Sequence, residues 1–386
     1  MFVVVGFGLL SLAVVPGLLW IRDGRMSLPR RLLMLGALGG GAGVTLGLVR
    51  DWPLPLTVLL GAMAAASVLL LARPADSADS AASSRGTVYA LLVVAVVQLP
   101  LAFATFDSEG LVATLGALDF AGALVFAVPV GAGAYAWSRV RAARTPAVPV
   151  PTAERGRLAK GSALAALGLL AACIAAETMI DEVTPRIILS ATLSAATGCA
   201  GWVVTRLIGA SKTMRRDAAY GILAGLSSAL ASSAWVTAQW SLLIGVAAGA
   251  LSAVFYGSAL KKVGERPAAV AAVLLVGGAT GTVMLGLFTD GTGLVHTGGV
   301  TQLVAQLGAT VLAVAWSIGV CFALAGLLKT RQLLSGARGG AAGVAPVVTE
   351  QAPHQHHELH DDGNQRRADG HREHDPQHQR PVDRRT

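Results

Sequence analysis

Charge is scarce in this chain. Only 13% of its 386 residues are Asp, Glu, Lys or Arg, about half of what a soluble domain carries. With 54% hydrophobic residues, one soluble core would leave too few charges to cover its surface. An ordinary soluble enzyme, a disordered chain and a basic nucleic-acid binder are therefore excluded. Cysteine is also rare. Cys173, Cys199 and Cys321 each sit in apolar stretches, which offers neither a disulfide framework nor a CxxC metal site and reads as buried thiols. Histidine is missing where it would matter most. Seven of the eight lie in the last 33 residues and the eighth, His296, lies between apolar stretches. No proton relay of intramembrane imidazoles is available to this chain. No P-loop, HExxH or GxSxG elbow stands in a usable context, so the chain is not read as an enzyme and needs no cofactor.

What is present is a series of long apolar runs. A span needs roughly 20 mostly apolar residues to cross the hydrocarbon layer. That rule gives about eleven spans, near 2–21, 32–49, 53–72, 87–106, 111–138, 161–177, 187–208, 218–238, 241–260, 267–289 and 303–328. The first lacks a preceding basic residue and outruns a signal core, so it is read as a span. Residues 218–260 carry no charge and are too long for one crossing; Gln239 and Trp240 are taken as the turn. Starting from an outside N-terminus, 22 basic residues fall in inside loops, and only Arg50 and Arg186 fall outside. The positive-inside rule then places the C-terminus in the cytoplasm of a multi-pass cell-membrane protein. The fold class is all-α polytopic. An odd count also permits an inverted pair of five-helix units plus one further span.

The domains are read as a membrane domain over 1–330 and a polar cytoplasmic tail over 331–386, expected to be disordered. A shorter polar linker covers 74–86. In the tail His354, His356, His357 and His360 are weak metal candidates. A low-complexity solubilising segment explains them better, since nothing fixes ligand positions. One acid lies well inside a predicted span: Asp119, in LGALDFAGALVFAVPVG. It reads first as a helix cap, with Gly116-Ala117-Leu118 as a short non-helical approach. The second reading is a pore or cation-site carboxylate; the two are compatible.

The segment Leu115–Gly131 resembles the L-G-A-x-D-F-A-G-G-x-V-V-H-x-x-x-G motif of the ammonium transporter (Amt/Rh) family. Further matches follow in order: Val15-Pro16-Gly17-Leu18, SAATGCAGWVVTRL (194–207), GILAGLSSALASSAWV (221–236) and VGGATGTVMLGLF (276–288). The resemblance covers about 1–330. It implies eleven transmembrane helices in an inverted five-plus-five arrangement plus one, and a homotrimer with a pore in each protomer. It also implies an ammonium channel whose paired pore histidines would fall at Ala127 and Leu274. The family's gating phenylalanines would fall near Gly61 and near Leu170 or Ala172, and the tryptophan of its outer recruitment site near Ala104. Of the motif positions that can be placed, only Asp119 keeps the family's residue.

Two functions follow as expectations. One is a divergent channel with ammonium or ammonia as nominal substrate, without the histidine relay. The other is a non-conducting sensor or scaffold on the same fold, with the tail as contact for a cytoplasmic regulatory partner. The expected surroundings are the lipid bilayer, with no nucleic acid.

Overall fold

In this computed structural model the described residues are 2–16, 30–72, 80–141, 155–209 and 215–342. All regular structure among them is helical. In chain order the helices are α1 (Phe2–Leu10), α2 (Arg30–Val49), α3 (Leu54–Leu71), α4 (Ser80–Val93), α5 (Leu99–Phe106), α6 (Leu111–Thr114), α7 (Val128–Arg141) and α8 (Arg155–Ala176). Then follow α9 (Thr184–Ile208), α10 (Arg215–Ser232), α11 (Ala238–Val263), α12 (Glu265–Val270), α13 (Gly277–Phe288), α14 (Leu294–Thr297) and α15 (Thr301–Ala342). Wider π-helical turns join α4 to α5 (Val94–Gln98), lead into α7 (Ala123–Ala127) and join α12 to α13 (Ala271–Val276). Pro stands in the first turn of two helices, at Pro55 and Pro185. There its missing N–H costs nothing, because the first turn has no intrahelical acceptor for it.

Seven helical stretches are long and apolar enough to cross a membrane: Leu54–Leu71, Arg85–Thr114, Ala123–Arg141, Thr184–Ile208, Ala238–Val263, Pro267–Phe288 and Thr301–Thr330. Shorter apolar helices cover Val3–Pro16, Gly36–Val49 and Lys160–Ala176. These elements, together with α10, fall on the apolar runs read from the sequence. The chain divides into two compact units, Met1–Ala337 and Arg338–Thr386. The tail histidines lie outside the described residues.

Small residues let the helices approach closely. A β-carbon on Gly249 would collide with the backbone of Gly198, and one on Gly225 with that of Ser194. Dispersion between closely fitted backbones holds helices together where lipid supplies no hydrophobic drive. At one end of the bundle, Trp202, Tyr220 and Tyr256 pack ring against ring at 5.5–5.9 Å between centroids. Trp202 Nε1 donates to Asp217 there at 3.1 Å.

Two sequence expectations need correction, and a third, the non-helical approach to Asp119, is met but runs longer than Gly116-Ala117-Leu118. The run 111–138 is accordingly not one helix. It breaks after α6, and residues 115–122 are irregular before helix resumes at Ala123. Gly116 and Gly122 both have positive φ, +73° and +78°, which an L side chain resists. The turn before α11 lies at 233–237, earlier than Gln239 and Trp240. Trp240 sits in the first turn of α11 and stacks on Phe288 at 4.6 Å. Finally, α4 reaches back to Ser80, so part of the 74–86 linker is helical; residues 80–85 contain neither Pro nor Gly, which permits it.

Candidate functional site

The break at 115–122 carries the one acid singled out in the sequence. Asp119 Oδ1 accepts the backbone N–H of Ala123 at 2.8 Å, and Oδ2 accepts that of Leu124 at 2.8 Å. Both oxygens therefore satisfy free donors at the start of the α7 segment, where a carboxylate also complements the helix dipole. Gly122 makes this possible. Its left-handed backbone turns the chain back over the carboxylate, against Met63 and Phe106.

Other groups hold the broken segment. Phe120 and Ala121 donate their N–H groups to the carbonyls of Ala231 (3.2 Å) and Leu230 (2.6 Å), near the end of α10. From α15, Gln306 Nε2 donates to Leu118 O at 3.1 Å and Gln302 Nε2 to Gly116 O at 3.3 Å. Irregular backbone inside a membrane protein is tolerated where protein satisfies it, and these bonds do so.

Past the cap, the helix 123–141 crosses the helix 265–288. Gly131 faces Leu275 so closely that a β-carbon would meet Leu275 backbone. The β-carbon of Ala127 lies 3.0 Å from where one on Gly278 would stand. Ala127 and Leu274 are both fully buried in the main hydrophobic core. A cavity of about 10 Å³ opens beside Phe126, lined by Val14, Met63, Leu169 and Ala172 among others. That is room for about one water. Ala172, one of the positions where the resemblance would put a gating phenylalanine, lines this cavity.

The end of the bundle at the 50–53 turn holds residues the sequence reading missed. Ala104 is half-buried on α5, directly after Phe103 and two residues before Phe106. Arg50, just after α2, donates from Nε to Asp107 Oδ2 at 2.6 Å and from Nη2 to Asp107 Oδ1 at 2.9 Å. Its guanidinium carbon lies 5.2 Å from the centre of the Phe103 ring. Asp107 is 3% exposed, and its Oδ1 also accepts the Glu109 N–H at 3.0 Å. Trp52 meets Phe106 edge to face at 6.0 Å. The hydrogen bonds to Asp107 raise the Arg50 pKa further above its ordinary value. The sequence held one signal for this cluster: Arg50 is one of only two basic residues in the predicted outside loops.

The second arginine of the predicted outside loops is anchored similarly. Arg186 Nη2 donates to Ala234 O at 2.5 Å, and Nη1 lies 3.9 Å from Asp290 Oδ2. Nearby in sequence, Glu177 Oε2 accepts the Thr184 hydroxyl at 2.6 Å. Burial pushes the Glu177 carboxyl up from the usual range; the Thr184 bond opposes this and Asp181 adds to it. Among the described residues no group of three or more His, Cys, Asp or Glu could hold a metal ion.

The model of the Ammonium Transporter Family matches residues 56–335. An ammonium transporter of Mycobacterium tuberculosis is 28% identical over 280 residues, covering 66% of this chain and 59% of the relative. One of Bacillus subtilis is 29% identical over 203 residues, covering 52% and 50%. The chain thus spans between half and three fifths of these relatives' length. Among solved structures, Candida albicans Mep2 superposes with TM-score 0.69 at 20% identity, covering 91% of this chain and 86% of that one. A Sensor Amt Protein gives 0.60 at 18%, covering 85% and 94%. At these identities the structural likeness speaks for the fold.

Proposed function

This chain belongs to the ammonium transporter family, and we propose that it is a divergent channel of that family, with ammonia as its nominal substrate and no histidine relay. The supporting observation is the crossing of Ala127 with Gly278, where Leu274 lies fully buried and no imidazole lies in any predicted span. Moving an ion through such a hydrocarbon-lined constriction costs its hydration, and no ligand set here offsets that cost. Neutral ammonia is far less costly to move. The reading is of a channel and not an enzyme, with no cofactor and no nucleic-acid partner.

The test is flux in proteoliposomes. The expected result is no electrogenic ammonium current, with slow ammonia flux that rises with pH as the neutral fraction grows. A robust current from the unmodified chain overturns the reading.

A second reading has its own support. The close helix contact at Ala127, together with the likeness in fold to a protein named as a sensor, favours a non-conducting sensor or scaffold. Absence of flux at every pH selects it. Under either reading we infer a homotrimer in the cell membrane, N-terminus outside and C-terminus cytoplasmic, with the tail available to a regulatory partner. Exposed apolar residues on α11 and α15, such as Leu251, Val254 and Val311, suit lipid or a second copy. A three-chain species in native mass spectrometry is expected, and a monomer at all concentrations overturns the assembly.

A further inference from the structure

We propose that Asp107 and Phe103 form a cation-binding cup at the outer end of the bundle, selective for guanidinium, and that the chain's own Arg50 is its resident occupant. The inference concerns binding and stands whether or not the chain conducts.

The geometry has the parts that recognise a planar cation. The two carboxylate oxygens of Asp107 each take one N–H of the same guanidinium, at 2.6 and 2.9 Å. This two-point fork matches guanidinium and not a spherical ion. The Phe103 ring meets the cation at 5.2 Å from its centroid, within cation–π range. Trp52 and Phe106 stand edge to face alongside. The carboxylate is also held from behind by the Glu109 N–H, so its orientation does not depend on Arg50 alone. At 3% exposure it needs a cation as partner, because a buried charge left alone is costly.

The cation and its cup come from different parts of the chain. Phe103 and Asp107 belong to the end of α5, whereas Arg50 arrives from the turn between α2 and α3. Arg50 keeps its side chain 35% exposed, so the cup opens to the outside medium. Arg50 is fixed to the folded backbone beside the cup and already makes both bonds, so it competes without having to diffuse in. External cations must displace it, and the intact protein is therefore closed to them. Removing the Arg50 side chain leaves a cup of the same shape, open to a free ion of the same chemistry.

Full-length wild type, Arg50→Ala, Arg50→Lys and Arg50→Ala/Asp107→Asn are to be compared by thermal unfolding in detergent. Each is titrated with guanidinium chloride at concentrations far below those that denature, against sodium chloride at equal ionic strength. The expected result is a lowered midpoint for Arg50→Ala that rises saturably with guanidinium and not with sodium. Wild type, Arg50→Lys and the double variant should show no such rise. A folded Arg50→Ala that ignores guanidinium, or a double variant that responds equally, overturns the proposal. If Arg50→Ala does not accumulate folded, guanidinium present during extraction should recover it, and a yield insensitive to guanidinium counts against the cup.

Discussion

The β-carbon of Ala127 lies 3.0 Å from the place a β-carbon on Gly278 would occupy. Two helices meet here with almost nothing between them, at the position where the family resemblance would put an imidazole. Ala127→His inserts a ring into that contact. Overpacking a fitted core costs about 1–3 kcal/mol, and an unpaired imidazole adds to it. Ala127→Leu, with bulk but no polarity, should lower the unfolding midpoint by a comparable amount. Ala127→Gly should change stability by about 1 kcal/mol. If Ala127→His and Ala127→Leu both unfold at the wild-type midpoint, the crossing has room that this packing denies.

Asp119 satisfies two backbone donors, Ala123 N–H and Leu124 N–H, one with each oxygen. Asn keeps one acceptor oxygen and Ala keeps none. Loss of a cap costs about 0.5–2 kcal/mol. Folded yield and thermal midpoint should therefore fall in the order wild type, Asp119→Asn, Asp119→Ala. Equal values for all three would leave the cap without energetic weight.

Much of the fold was legible because membrane burial writes itself into composition. Apolar runs gave the helices, and the break at Asp119 was signalled by Gly116 and an acid in an otherwise apolar segment. The turn at 233–237 was placed too late, since residues 218–260 offer no charge to mark it and Trp240 suggested an interface. In the fold that ring stacks on Phe288 instead. The outer cluster was hidden for another reason. Arg50 and Asp107 are 57 residues apart, and only folding brings the cation to its carboxylate. Family alignment drew attention to Ala104, whereas the neighbouring side chains of Phe103 and Asp107 carry the interactions.

Glu177 supplies a pH dependence. Burial raises its folded pKa, with the Thr184 hydroxyl opposing and Asp181 adding. A carboxyl whose folded pKa lies above its unfolded value contributes stability below the unfolded pKa and loses it as pH rises through the folded one. Glu177→Gln stays neutral and can still accept from Thr184. The midpoint of the variant minus that of wild type should therefore be smallest under acid conditions. It should grow as pH rises past the ordinary glutamate range and then level off. A difference independent of pH would mean that burial does not disfavour the charged form here.

Orientation can be tested with two single cysteines. Outside loops normally avoid basic residues because free cations stay on the cytoplasmic side during insertion. Arg50 is neutralised by Asp107. Arg186 is bound to the Ala234 carbonyl and lies near Asp290. Two arginines weigh little by number against the 22 basic residues of the predicted inside loops. His296 lies in the short helix α14 and is exposed, which makes position 296 accessible to a reagent on its own side. In a background without Cys173, Cys199 and Cys321, cysteine is placed at position 296 or at position 360. An impermeant thiol reagent applied to intact cells should label 296 and spare 360 until the cells are opened. Labelling of 360 alone in intact cells would invert the orientation, and labelling of both would require an even number of crossings between them.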